Sequence, residues 1–166
     1  PSLQFSMKYN HGCAVYSSKV QCVGYDFYGQ VSDSSSVAVT TPVLFVFPEE
    51  NSASPIKVVT GFQHTCVLMD DKSVWCKGRN NYGQLGDMTI SDSSSTPVQV
   101  KKDGVVITNA IDIEAGADHN CIKLSDDSLY CFGDDDYSQL GFNGETNLDV
   151  KLMALSGDAT CIVKNS

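Results

Sequence analysis

A chain of 166 residues that is 42% hydrophobic has room for one domain with a sizeable core and is too apolar to be disordered. Eleven basic against twenty acidic residues leave a formal charge of −9, which argues against nucleic acid and anionic membrane as partners and fits a soluble acidic surface or a basic partner. The longest apolar run, Pro42–Pro48, has the length of a strand, well short of the roughly 18 residues a membrane helix needs.

In chain order the predicted elements are short and extended, with turns every few residues and no sustained helical period. Cys13 and Cys22 flank a hairpin that turns at Ser17-Ser18; Gly24, Tyr28, Gln30, a serine-rich loop and the extended run Thr41–Phe45 follow. Ile56–Gly61 leads into a second unit with His64, Cys66, the turn Asp70-Asp71-Lys72, Cys76, Gly78, Tyr82, Gln84, the loop Ser91–Ser95 and the run Thr96–Val100. Ile111–Gly116 opens a third, with His119, Cys121, a turn centred on Asp126, Cys131, Gly133, Tyr137, Gln139 and the run Leu148–Leu152. A truncated fourth unit carries Cys161, with Ala159 where the others carry His11, His64 and His119. The units are expected at 6–55, 56–110, 111–153 and 154–166. Pro1 follows no charged-then-apolar leader and Ser166 falls inside a unit, so both ends are expected to be cut from a longer polypeptide.

The cysteines fix the hairpin register. Setting Cys66 opposite Cys76 places Val67 against Trp75, Leu68 against Val74 and Met69 against Ser73, so Cys66, Leu68, Val74 and Cys76 share a face. The Cys121–Cys131 pair repeats this register, and the Cys13–Cys22 pair is one residue shorter with a turn one residue shorter. Facing cysteines at this spacing suit neither zinc knuckles nor a redox Cys-x-x-Cys site. They are expected to form cross-strand disulfides, which imply an oxidising compartment; the alternative is reduced cysteine packed as a small hydrophobe. Cys161 is left unpaired.

Each unit of about 50 residues supplies about four short strands, the make-up of a propeller blade. The phrase Gly61-x-x-His64-x-Cys66, the hairpin, Cys76-x-Gly78, then Arg79–Gly86 ("RNNYGQLG") and Thr96–Val100 ("TPVQV") resemble the repeat of the regulator of chromosome condensation family. The resemblance implies an all-β β-propeller of four-stranded blades, of which this chain supplies about three and part of a fourth. The paired cysteines resemble the secreted members of that superfamily. The first unit departs from the pattern, with Lys8 where glycine is expected. A ring of about seven blades exceeds what this chain holds, so its end faces need cover from the rest of the polypeptide, another protein or another copy.

The recurrent histidines are expected to bind backbone carbonyls near the ring centre. The tyrosines and glutamines are expected to pack and brace loops, and Gly78, Gly83 and Gly86 to serve tight turns or positive backbone angles. Asp134–Asp136 suggests calcium less than it suggests a solvated loop. The serine runs are expected on one rim, where Ser34, Ser35, Ser93, Ser94 and Thr96 are candidate O-glycosylation sites. No catalytic constellation, metal site or cofactor site is written in the chain.

The expected function is a non-catalytic extracellular module for protein recognition or assembly, at the cell surface or secreted, its rim loops held rigid by stapled hairpins. An inhibitor of a secreted enzyme is the alternative and calls for aromatic residues on one rim, with Tyr25, Phe27 and Phe132 as candidates. Guanine-nucleotide exchange, the activity of the family's nuclear member, is disfavoured by the cysteine pairs and by the lack of a basic tail.

Overall fold

The computed structural model describes residues 3–33, 37–141 and 149–164. Apart from a short hairpin, β9 (Lys101–Lys102) with β10 (Val105–Val106), every described strand belongs to one of four antiparallel sheets in chain order. The first sheet is β1 (Gln4–Lys8), β2 (His11–Tyr16), β3 (Lys19–Tyr25) and β4 (Ala38–Leu44); the second is β5 (Pro55–Thr60), β6 (His64–Met69), β7 (Val74–Arg79) and β8 (Ser93–Gln99). The third holds β11 (Ala110–Ala115), β12 (His119–Leu124) and β13 (Leu129–Gly133), and the fourth β14 (Val150–Ser156) with β15 (Ala159–Lys164). These are successive propeller blades, and among the described residues no sheet closes the ring.

One register runs through the hairpins. Cys13 pairs with Cys22, Cys66 with Cys76 and Cys121 with Cys131, and each pair is a disulfide with Cα atoms 4.1 Å apart. The first turn is tight because Ser17 and Ser18 both adopt positive φ, 48° and 58°, the signature of a two-residue hairpin. Asp71 and Asp126 brace the longer turns by accepting the amides of Ser73 and Ser128. Gly24, Gly78 and Gly133 follow the second cysteines with φ of 120°, 116° and 111°, where a Cβ would strike the backbone of Asn10, Gln63 or Asp118.

The third unit departs from expectation. The run Leu148–Leu152 reads as its outer strand, but Val150–Ser156 instead pairs with β15 and opens the fourth blade. Chain length is the reason. The first cysteines of the third and fourth units are 40 positions apart (121 to 161), against 53 (13 to 66) and 55 (66 to 121), so the run after Leu148 falls where the next blade begins. Residues 142–148 lie outside the described residues.

The core is laid down between blades. Cys13, Val15, Val20 and Cys22 of the first pack on Val58, Val67, Met69 and Trp75 of the second. Cys66, Leu68, Val74 and Cys76 of the second pack on Ile113, Ala115, Ile122 and Leu124 of the third. The Cys121–Cys131 disulfide meets Leu155 of the fourth. Every disulfide therefore stands at the back of its blade, beneath the next one.

Three lysines clamp blades together from inside. Lys57 Nζ bridges Asp112 and Glu114 of the third blade at 2.7 Å each; burial opposes its charge, but both hydrogen bonds outweigh that and raise its pKa. Lys77, its side chain wholly buried, reaches Asp33 at 3.1 Å and sits over the Phe45 ring, with burial lowering its pKa against the pull of Asp33. Lys8 occupies the place of the expected glycine and donates to the carbonyls of Ala115 at 2.5 Å and Leu155 at 2.8 Å, joining the first blade to the third and fourth.

Candidate functional rim

His11 pairs with Gly24, so the turn before β2 and the loop after β3 emerge at the same edge of the blade. The later blades repeat this through His64–Gly78 and His119–Gly133. The rim so formed has a rigid base. Gln30, Gln84 and Gln139 are buried, and their side-chain oxygens accept the amides of Tyr28, Tyr82 and Tyr137. Asp26, Asn80 and Asp135 accept the amides of Val31, Leu85 and Leu140. Sequence reasoning missed this second set, although its signal was legible as an Asp or Asn two residues after each repeat glycine.

The histidines correct the expectation that they bind backbone carbonyls. His11 Nε2 lies 2.9 Å from Thr65 Oγ1, His64 Nε2 2.9 Å from Asn120 Oδ1, and His119 Nε2 2.9 Å from Thr160 Oγ1. Each acceptor is the residue directly after the next blade's histidine position. Thr65, Asn120 and Thr160 in turn donate to the carbonyls of Gln30, Gln84 and Gln139. The donor of that second bond fixes the direction of the first: Nε2 carries the proton. The three Nδ1 atoms are buried without a partner, so protonation there would add a charge and an unanswered N–H. Burial accordingly pushes His11 and His64 down to about 4 and lowers His119 as well. The His64 ring lies on Gly61, where a Cβ would collide with Cε1 and Nδ1. Gly61→Ala is expected to displace the ring from Asn120 and to cost about 2–4 kcal/mol, read as a lowered thermal midpoint.

On this fixed base the rim chemistry changes along the array. At equivalent positions the first blade presents Tyr25, Phe27 and Tyr28, the second Arg79, Asn81 and Tyr82, and the third Asp134, Asp136 and Tyr137. Phe27 stacks on Tyr25 with ring centres 6.4 Å apart and meets Tyr28 edge-on at 5.0 Å; Tyr9 meets Phe62 at 5.0 Å. Arg79, the sole arginine, lies 5.6 Å from the Tyr28 ring centre and 5.5 Å from that of Tyr82, and donates to Gln63 at 3.0 Å. A cleft of about 360 Å³ opens there between Phe27, Tyr28, Arg79, Asn81, Asp92 and Ser93. Farther along, Asp118 has its pKa raised by burial, against the nearby Arg79 and a hydrogen bond from Gln84 and reinforced by Asp134 and Asp158. The face thus runs from aromatic through cationic to acidic.

Other expected site residues fall as follows. Tyr82 and Tyr137 are exposed, so the recurrent tyrosine decorates the rim while its backbone does the bracing. Phe132 is buried in the core and leaves the rim cluster to Tyr25 and Phe27. Gly83 and Gly86 adopt φ of 74° and 67°. Ser93 and Ser94 lie within β8 opposite Arg79 and Gly78, in place of the expected loop, because the ladder of β7 continues past the repeat glycine for these two pairs. Ser94 Oγ donates to the Thr96 carbonyl. Ser34 and Ser35 lie outside the described residues. Asp134 and Asp135 spend carboxylate oxygens on the amides of Asp136 and Leu140, and among the described residues no cluster could hold a metal ion. Cys161 is free and exposed, and among the described residues no helix is long and apolar enough to cross a membrane.

Two family models described as "Regulator of chromosome condensation (RCC1) repeat" match residues 56–84 with 110–139, and 71–122, between them spanning just over half of the chain. Among curated proteins, Protein RCC2 of Mus musculus is 26% identical over 156 residues, covering 90% of this chain and 29% of that protein. Protein RCC2 homolog of Xenopus laevis is 29% identical over 109 residues, covering 66% of this chain and 21% of that protein. The chain therefore spans less than a third of the length of these relatives. Among solved structures, Prp20p of Saccharomyces cerevisiae superposes with a TM-score of 0.79 at 18% identity, over 98% of this chain and 44% of that one. The ectodomain of the Arabidopsis thaliana receptor kinase ACR4 gives 0.58 at 18% identity, over 98% and 45%.

Proposed function

The chain belongs to the regulator of chromosome condensation (RCC1) repeat family, and we propose that it is a non-catalytic recognition module that binds a protein partner through its rim, outside the cell or at its surface. The observation that carries this reading is the graded rim: exposed aromatic side chains and a half-buried arginine on a hydrogen-bonded base that repeats in three blades. Tyr and Arg supply contact energy at little entropic cost, and a rigid base spares the cost of ordering the loops. The acidic end and the net charge of −9 favour a basic segment in the partner. Three disulfides support an oxidising compartment. Two neighbours supply precedent. Prp20p binds Gsp1p and histones, and the ACR4 propeller belongs to the ectodomain of a receptor kinase.

Selection from a displayed peptide library tests the rim directly. Enriched peptides are expected to be basic with an aromatic or aliphatic anchor, and to bind at least about tenfold more weakly to a Phe27→Ala/Tyr82→Ala chain. Binding should be unchanged in Lys102→Ala, on the separate β9–β10 hairpin. No enrichment, or enrichment indifferent to the rim variant, overturns the reading. Inhibition of a secreted enzyme is a second reading, favoured by the Tyr25–Phe27–Tyr28 cluster. It is separated from the first by whether the selected peptides match a hydrolase surface.

A further inference from the structure

We propose that the cleft beside Arg79, between the first and second blades, binds a carboxylate carried next to an apolar or aromatic group. The proposal deepens the reading above and rests on it in one respect, that the group belongs to a protein partner, as a C-terminus or as an Asp or Glu side chain.

Arg79 is the sole arginine of a chain with a net charge of −9, and among the described residues it has no ion pair. The rings of Tyr28 and Tyr82, 5.6 and 5.5 Å away, hold its guanidinium. One N–H donates to Gln63 Oε1 at 3.0 Å, and among the described residues the others have no acceptor. The free edge presents donors of the kind that grip a carboxylate at both oxygens. Asp92 also lines the cleft, and Asp118 is close enough to feel the charge of Arg79, yet neither forms an ion pair with it.

A second unanswered donor lies at the same junction. Gln84 Nε2 finds Asp118 Oδ1 of the next blade at 3.0 Å and Asn81 Oδ1 at 3.5 Å. Gln30 Nε2, in the wholly buried counterpart, finds no acceptor. Gln30 packs on the residue before Arg79: a Cβ added at Gly78 would stand 3.0 Å from Gln30 Cβ. Here the place of Asn81 belongs to Phe27, which has no side-chain acceptor, and the place of Asp118 to Gln63, whose oxygen Arg79 holds. Gln139 Nε2 is unanswered as well, but its two places hold carboxylates of the chain itself, Asp136 and Asp158. At Gln30 the shortage ends only if Arg79 is given another acceptor. A carboxylate on Arg79 releases Gln63 Oε1 to take Gln30 Nε2, as Asp118 takes Gln84 Nε2, and so relieves a buried donor left without a bond.

Shape and charge narrow the ligand. The cleft of about 360 Å³ is at the small end of ligand sites, roughly 300–1,000 Å³, and suits a residue or two of a partner. Phe27 and Tyr28 give it an aromatic wall. With one cation and with Asp92 and Asp118 nearby, a monoanion is favoured over a phosphate dianion, which would meet both carboxylates with a single charge to answer it. The same two carboxylates suit the basic residues expected elsewhere in the partner segment.

Because Arg79 is the sole arginine, a nitrogen-15-labelled chain gives one arginine Nε–H signal, a reporter inside the cleft. N-acetylphenylalanine presents a terminal carboxylate and N-acetyl-glutamyl-phenylalaninamide a side-chain one; N-acetylphenylalaninamide and the glutaminyl peptide are their neutral isosteres. At least one carboxylate is expected to move the Arg79 signal saturably, binding about tenfold or more tighter than its isostere and than inorganic phosphate. The Gln30 side-chain amide should shift with it as Gln63 turns, and the carboxylate that binds identifies the source. Arg79→Lys, which keeps the charge and loses the fork, should weaken binding by a similar factor, followed at the Phe27 amide. The matched ligands need no variant, so the comparison stands even where the substitution disturbs the loop. Carboxylates that bind no tighter than their isosteres, or phosphate that binds as tightly as they do, overturn the proposal. The rim reading is judged apart. Selected peptides that need Phe27 and Tyr82 but lose nothing when their acids are replaced by amides would sink the carboxylate site and leave the rim reading standing. Carboxylate binding at Arg79 with no displayed peptide enriched would do the reverse.

Discussion

Reduction of the three disulfides is expected to unfold this chain. Each closes a hairpin loop of 9 or 10 residues, worth about 2.6 kcal/mol on the chain-entropy model, and the three together about 8 kcal/mol. That matches the whole stability of a typical domain, about 5–15 kcal/mol. All six sulfurs are buried between blades, so a thiol reductant reaches them through opening of a junction. Unfolding by dithiothreitol should therefore be slow in native buffer and fast near the urea midpoint. The Cys66→Ala/Cys76→Ala chain should lose about 3 kcal/mol or more, since it also empties space in the slab that joins the second and third blades. Denaturant titrations with and without reductant measure both effects, and a reduced chain as stable as the oxidised one would overturn the account.

Acid is expected to be the second lever. His11 and His64 stand at about 4 in the folded chain against 6.5 when unfolded. Above pH 6.5 neither state takes up a proton and the relay costs nothing. Between pH 6.5 and 4 the unfolded chain binds protons that the folded chain refuses, so stability falls steadily with pH and reaches its full loss once the folded histidines titrate. The loss is about 3 kcal/mol for each of these two, with His119 adding to it. The acid limb of the stability profile should therefore be steep well above the carboxylate range. In His64→Gln the amide keeps a donor toward Asn120, and that chain should be less stable at pH 7 but flatter between pH 6.5 and 4.

The hairpins and the blade repeat were legible because they are local. Cys66 and Cys76 lie ten residues apart and a period of two relates everything between them, so one guess fixed the register and the face. The relay was not legible in the same way. His64 finds Asn120 at a separation of 56 residues, and nothing in "GFQHTC" names a partner in another blade. Read from one unit, the imidazole had only backbone carbonyls to bind; read from two, the residue after each histidine becomes the acceptor. The outer strand of the third blade was misplaced because the run after Leu148 is as strand-like as Thr96–Val100, and only the shorter spacing to Cys161 distinguishes them. The rim gradient needed the blades aligned in space before Tyr25, Arg79 and Asp134 could be seen as one changing position.

Lys8 sets the order in which the molecule can be finished. Its ammonium is held by carbonyls 107 and 147 residues farther along, so during synthesis that charge gains its first anchor only with the third blade and its second with the fourth. The middle pair of blades, by contrast, joins through neighbours in sequence. Maturation should proceed outward from the second and third blades, with β1 the last strand to gain protection from hydrogen exchange and the first to give it up.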